Sequence, residues 1–177
     1  MNQIICLKPV RRLLLVFIAC LFLSGVTVFP AAAELRFALS IVPSNSPVAN
    51  WLRTVLAAYV DTDKTAGFLF YGYDWLAFAH IVLAILFVGP YRDPIRNKWV
   101  IEFGLIACVL IIPLAFFCGP LRGIPFWWQL VDCSFGVFGF ALLWFCYRRI
   151  RTAERIGTIQ ATNLSIHQTE SYELLSR

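Results

Sequence analysis

Apolar residues along this chain gather into long runs rather than into the strict alternation of a half-buried strand. The runs cover residues 13–28, 75–88, 99–117 and 130–147, and each is bounded by proline, glycine or charge. A helix needs about 20 largely apolar residues to cross a bilayer. The run at 75–88 is short by that measure. Extending it back through Tyr71, Gly72, Tyr73 and Asp74 gives a crossing length with tyrosines at the interface, where amphipathic rings are favoured. The pattern predicts spans at about residues 71–90, 99–117 and 130–147, closed in turn by Pro90, by Gly119 with Pro120, and by the arginines after Tyr147.

The first 33 residues read as a secretory signal. A positive stretch ends at Arg12, an apolar stretch follows, and Phe29 and Pro30 lead to Ala31, Ala32 and Ala33 before Glu34. Proline breaks the helix and small residues suit a signal-peptidase groove, so cleavage is expected after Ala33. The alternative is an uncleaved anchor helix, because the apolar stretch is long for a signal. Cys20 follows Ala19 as a lipoprotein cysteine would, but it lies inside the apolar stretch, which argues against acylation. Between residues 34 and 70, Trp51, Leu52, Val55, Leu56, Tyr59 and Val60 recur at helical spacing. They predict a short amphipathic helix, ended by Asp61 to Lys64, that lies on the membrane surface or against the other helices. The tail at 148–177 is polar and short of core residues, and is expected to be a flexible or weakly helical extension.

Composition agrees with the pattern. Of 177 residues, 60% are hydrophobic and 14% charged, whereas soluble domains are about half apolar and a quarter charged. This excludes a soluble globular enzyme, a disordered tail and a fibrous protein. The expected fold class is an all-α membrane protein, a small transmembrane helical bundle of three mature spans plus the N-terminal signal peptide or anchor helix. Three spans cannot supply the two matched halves of an inverted-repeat transporter.

The net charge of +5 matters through its distribution. Lys8, Arg11 and Arg12 precede the first apolar run, Arg92, Arg96 and Lys98 separate two others, and Arg148, Arg149, Arg151 and Arg155 follow the last. Basic clusters beside spans mark the cytoplasmic side. Nucleic acid is not an expected partner, since no basic helix or aromatic platform lies outside the apolar segments. The loop at 91–98 carries three positive charges and the connection at 118–129 carries one, Arg122. The expected placement is a multi-pass protein of the plasma (inner) membrane, with 91–98 and the C-terminus cytoplasmic, and 118–129 and the mature N-terminus external (periplasmic).

Ionisable groups inside spans are costly and call for a functional hypothesis. Asp74, His80, Asp132 and Arg122 map to the outer leaflet in this orientation, with His80 six residues, about 9 Å, deeper than Asp74. They form a candidate intramembrane polar cluster. Against it, Asp74 and Asp132 lie near helix starts, where a carboxylate complements exposed backbone N–H groups and the helix dipole. Glu102 is expected to pair with Arg96 or Lys98. Haem would need a second axial ligand, yet His167 lies in the tail and the sole methionine is Met1. No metal-ligand spacing and no aspartyl-hydrolase motif is present. No catalytic, cofactor-binding or metal-ligating residue, and no cofactor, is therefore assigned.

Of the six cysteines, Cys6 and Cys20 fall in the signal, Cys108 is mid-span and Cys146 near the cytoplasm. Cys118 and Cys133, 15 residues apart at the outer side, are a possible disulfide in an oxidising compartment, or two buried thiols acting as small apolar residues. Ser134, Gly136 and Gly139, Gly104 and Ala107, and Ala77 and Ala84 notch the three spans, as close helix packing in lipid requires. The leading functional expectation is a non-catalytic accessory, scaffold or partner-binding subunit, with Phe126, Trp127, Trp128 and Trp51 as its contact surface. Its partners would be the lipid bilayer and other membrane proteins, or further copies of the chain. The alternative is a proton or ion pathway or a metal-assisted site using His80, Asp74 and Asp132.

Overall fold

The computed structural model describes the backbone of residues 3–175 and the side chains of residues 7–159 with Thr162. The side chains of Cys6 and His167, both weighed above, lie outside the described residues. The chain is all-helical, with 88% of it in helices and no strand among the described residues. In order, the elements are α1 (Gln3–Val26), α2 (Ala31–Ile41), α3 (Pro47–Ala66), a 3-10 turn (Gly67–Phe70), α4 (Tyr71–Leu86), α5 (Val88–Arg92), α6 (Lys98–Leu121) and α7 (Phe126–Leu175). Among the described residues, four helical stretches are long and apolar enough to cross a membrane, Leu7–Val26, Pro47–Arg92, Lys98–Leu121 and Phe126–Ile159.

The chain divides into two compact units, residues 1–17 with 86–177 and residues 18–85. The first unit is built on the antiparallel pair α6 and α7. Their connection is made by backbone chemistry. Gly123, at φ +67°, follows the C-cap Arg122, the Ile124 N–H bonds the Gly119 carbonyl at 2.9 Å, and the Gly123 N–H bonds the Pro120 carbonyl at 3.1 Å. This is a Schellman closure, which needs a residue tolerant of the left-handed region and satisfies carbonyls that the helix end would otherwise orphan. Gln129 then folds back, donating from Nε2 to the Ile124 carbonyl at 2.8 Å and filling the notch at Gly119.

Small residues set the helix spacing. A Cβ on Gly136 would stand 2.7 Å from the Cys108 carbonyl oxygen, and one on Gly104 would stand 2.6 Å from Leu143 Cδ1 and 2.7 Å from Phe87 Cζ. The start of α1 packs into the same unit. Val10 and Leu14 are fully buried, as are Leu143, Cys146 and Ile150, and the rings of Phe17 and Phe87 are 4.7 Å apart.

In the second unit, α3 begins at an N-cap, Ser46, whose hydroxyl accepts the Ala49 N–H at 3.1 Å, with Pro47 at the first helical position. Arg53 clamps the approach to this helix by donating to Asn50 Oδ1 and to the Ser44 carbonyl, both at 3.0 Å. Leu52 and Ala49 are buried, and α2 packs against α3. The remainder of α1 meets α4 at Gly25, where a Cβ would lie 2.8 Å from the Ala77 carbonyl oxygen.

Several boundaries differ from the sequence expectation, each for a local reason. The amphipathic helix does not stop at Asp61 to Lys64 but runs to Ala66, since nothing there breaks it before Gly67 and the Thr65 hydroxyl bonds the Asp61 carbonyl. The break after α4 falls at Phe87 rather than at Pro90. Pro90 sits third in α5, in the first helical turn, where its missing N–H costs nothing. α6 continues past Gly119 and Pro120 to Leu121. The tail, expected to be a flexible or weakly helical extension, is helical as the continuation of α7 to Leu175. No proline interrupts that segment, Ile150 and Ala153 are fully buried, and Lys98 Nζ bridges Glu154 Oε2 at 3.0 Å. Pro30 does separate α1 from α2, as expected.

The Gly136 contact yields a sign test. Alanine at an unobstructed helical glycine gains up to about 1 kcal/mol of helix propensity, so Gly72→Ala, which meets nothing within 4 Å, should raise the unfolding midpoint in detergent. Gly136→Ala should lower it, because overpacking against a backbone atom costs about 1–3 kcal/mol. A thermal unfolding series on the two variants reads the opposite signs directly.

Candidate functional site

Asp74 and His80 belong to the second unit, whereas Asp132 and Arg122 belong to the first. Asp74 lies in the first turn of α4, where its carboxylate complements the positive end of the helix dipole. It is exposed and lines a shallow, almost wholly apolar hollow of about 240 Å³ with Tyr71, Trp75 and Phe78. The i, i+4 and i, i+3 spacings bring these rings together edge to face, at 6.1 Å for Tyr71 with Trp75 and 5.8 Å for Trp75 with Phe78.

His80 is half-buried two turns further along α4. Its Cβ would be 3.2 Å from a Cβ on Gly25, which places it on the seam between α4 and α1. Its Nδ1 lies 2.8 Å from the carbonyl oxygen of Leu76. A carbonyl only accepts, so Nδ1 carries the proton and Nε2 is the acceptor of the neutral ring. One of the two ring nitrogens is thus satisfied by its own helix.

Asp132 is half-buried, in the second turn of α7. The adjacent hydroxyl, Ser134, donates to the Val131 carbonyl at 2.6 Å. Arg122 is exposed at the C-cap of α6, with its backbone N–H shared between the Cys118 and Gly119 carbonyls, both at 3.1 Å. Cys118, half-buried, and Cys133, buried, are both free thiols. Among the described residues, no three His, Cys, Asp or Glu side chains are placed to share a metal ion. Trp127 and Trp128 meet edge to face at 5.5 Å, and Phe126 is exposed beside Phe116 at 6.0 Å. Trp51 is half-buried on α3 in the other unit.

One ion-pair expectation is corrected. Lys98 does not pair with Glu102 but reaches Glu154, 56 residues away, through both carboxylate oxygens at 3.0 Å. The antiparallel pairing of α6 and α7 decides this, by carrying Glu154 to the start of α6. A polar residue not singled out from the sequence is Gln129. It is 4% exposed, and while its Nε2 is bonded, its Oε1 has no hydrogen-bond donor. An amide in an apolar stretch beside two tryptophans was the available signal.

Comparison of the chain with known protein families, with curated proteins and with solved structures gives no match.

The Leu76 carbonyl also lies in the helical ladder, so His80 supplies it only an additional bond. Such a bond contributes about 0.5–1.5 kcal/mol net. His80→Leu should therefore accumulate normally and lose no more than that in detergent unfolding, whereas a ligand or proton-carrying His80 at a shared site would show a loss of function that exceeds the loss of stability.

Proposed function

We propose that this chain is a multi-pass protein of the plasma (inner) membrane that serves as a non-catalytic accessory, scaffold or partner-binding subunit. The observation that carries this reading is where three polar side chains of the helices place their hydrogen bonds. His80 turns back onto Leu76, Ser134 onto Val131 and Gln129 onto Ile124. Polar groups that build a proton path or a catalytic site are instead aimed at one another or at a shared cavity. The outward surface of the spans is apolar and aromatic, as in Tyr71, Trp75 and Phe78 of α4 and Phe126 of α7, which suits lipid and the helices of other membrane proteins or of further copies.

The orientation follows from the charges. Residues 91–98 and 148–177 are cytoplasmic, beside their arginines, and 118–129 are external. Packing favours the anchor form of the N-terminal helix over its removal. Val10 and Leu14 are fully buried, Cys146 Sγ donates to the Val10 carbonyl at 3.9 Å, and Gly25 lets α1 approach α4 closely. Cleavage after Ala33 would strip these contacts from both units. Four spans then leave both chain ends in the cytoplasm.

Two measurements test this. Intact mass of the purified chain should lie near 20.1 kDa, and a product lacking the first 33 residues overturns retention of α1. The variant His80→Ala with Asp132→Asn should keep its abundance, its recovery of partners from cross-linked membranes and its cellular phenotype. Loss of the phenotype with abundance and recovery intact overturns the scaffold reading in favour of a site.

A further inference from the structure

We propose that the cytoplasmic end of the first unit is a binding site for the headgroup of an anionic phospholipid, gathered from α1, α5 and the loop after it. The proposal rests on the membrane reading above. Three contacts bring distant segments to one level. Cys146 on α7 meets the Val10 carbonyl on α1, Arg11 Nη2 donates to the Arg92 carbonyl at 3.2 Å, and Lys98 on α6 bridges Glu154 on α7. Arg11 and Arg12 follow Val10 directly, and Arg148 lies two residues beyond Cys146, at the same level but about 200° round α7 from the face that meets α1. Arg96 belongs to the short loop that Asp93 closes by accepting the Arg96 backbone N–H at 3.1 Å. Arg11, Arg12, Arg92, Arg96 and Arg148 are all exposed.

Of the nearby carboxylates, Glu154 holds Lys98, whereas Asp93 accepts the Arg96 backbone N–H and keeps its charge, so that the five arginines outnumber it. Arg11 turns to the backbone carbonyl of Arg92, which carries its positive charge to the segment that bears Arg92 and Arg96, 81 residues away. Such an arrangement is unfavourable by itself and becomes favourable around an anion. The general preference for positive residues on the cytoplasmic side accounts for their side of the membrane, but not for the contact between α1 and α5. A guanidinium has five N–H donors in a planar fork that matches phosphate oxygens, and the Arg92 carbonyl takes one of those on Arg11. Basic pockets between spans at this depth match the phosphodiester of an anionic lipid, which the bilayer holds at the same level. A free phosphate has no such anchor.

Native mass spectrometry tests this on the full chain, in neutral detergent doped equally with phosphatidylglycerol and phosphatidylcholine. Phosphatidylglycerol adducts should predominate, and excess inorganic phosphate should not displace them. Arg11→Gln with Arg92→Gln should weaken the preference about thirtyfold, at about fivefold for each basic residue near the surface. Arg36→Gln with Lys64→Gln removes the same charge from the second unit and should leave it intact. If the first pair fails to accumulate, Arg12→Gln with Arg96→Gln should show the same loss. Equal binding of the two lipids, an undiminished preference in the arginine variants, or displacement by phosphate overturns the proposal. Alkaline carbonate extraction of membranes holding the same chain separates the two readings. A chain that stays in the membrane without lipid preference removes only the headgroup site, whereas one that is released removes the membrane reading beneath it.

Discussion

In hydrocarbon, water no longer drives apolar helices together, so they associate only where their backbones can come close enough for dense packing. The close approach of Gly136 to the Cys108 carbonyl meets that constraint. With a side chain on Gly136 the two long helices would separate, and the alignments that depend on their register would go with them. These include Gly104 beneath Phe87 and Leu143, Gln129 seated in the notch at Gly119, and Lys98 opposite Glu154. The Schellman closure at Gly123 holds the same register from the other end, by satisfying carbonyls that the helix end would otherwise orphan.

Charge organises what packing leaves free. The basic residues flank the apolar stretches, which suits one end of the bundle to the aqueous face of a membrane. The first unit goes further by bringing the Arg11 guanidinium of α1 onto the backbone carbonyl of Arg92 in α5. The N-terminal helix is thereby tied in by packing at Val10 and Leu14, by the thiol of Cys146 and by the guanidinium of Arg11. Three kinds of contact thus join the start of α1 to the first unit, although its sequence resembles a leader.

Much of the candidate site was legible in the chain, but its grouping was not. Asp74 was readable as a helix-start carboxylate because it follows the tyrosines that open α4, and the first-turn position bears that out. His80 stood out as an imidazole in an apolar run. Its bond to Leu76 is a matter of rotamer, which spacing does not specify. The choice of Glu154 over Glu102 by Lys98 required knowing which helix returns beside which. Gln129 passed unnoticed because a neutral amide near a helix end looks interfacial until the turn closes over it.

The amino-acid order alone determined that this is a helical chain with four apolar stretches, since in lipid every backbone N–H and carbonyl must be satisfied within its own segment and only length and hydropathy are then needed to find the helices. It also placed the basic clusters and the break at Pro30. Tertiary structure decided which small residues face another helix, how far α3 and α7 continue, that Pro90 lies within a helical turn, and that Arg11 meets Arg92. Those outcomes depend on the register between segments as much as 136 residues apart, and register is a property of surfaces in contact, which a single strand of letters does not carry.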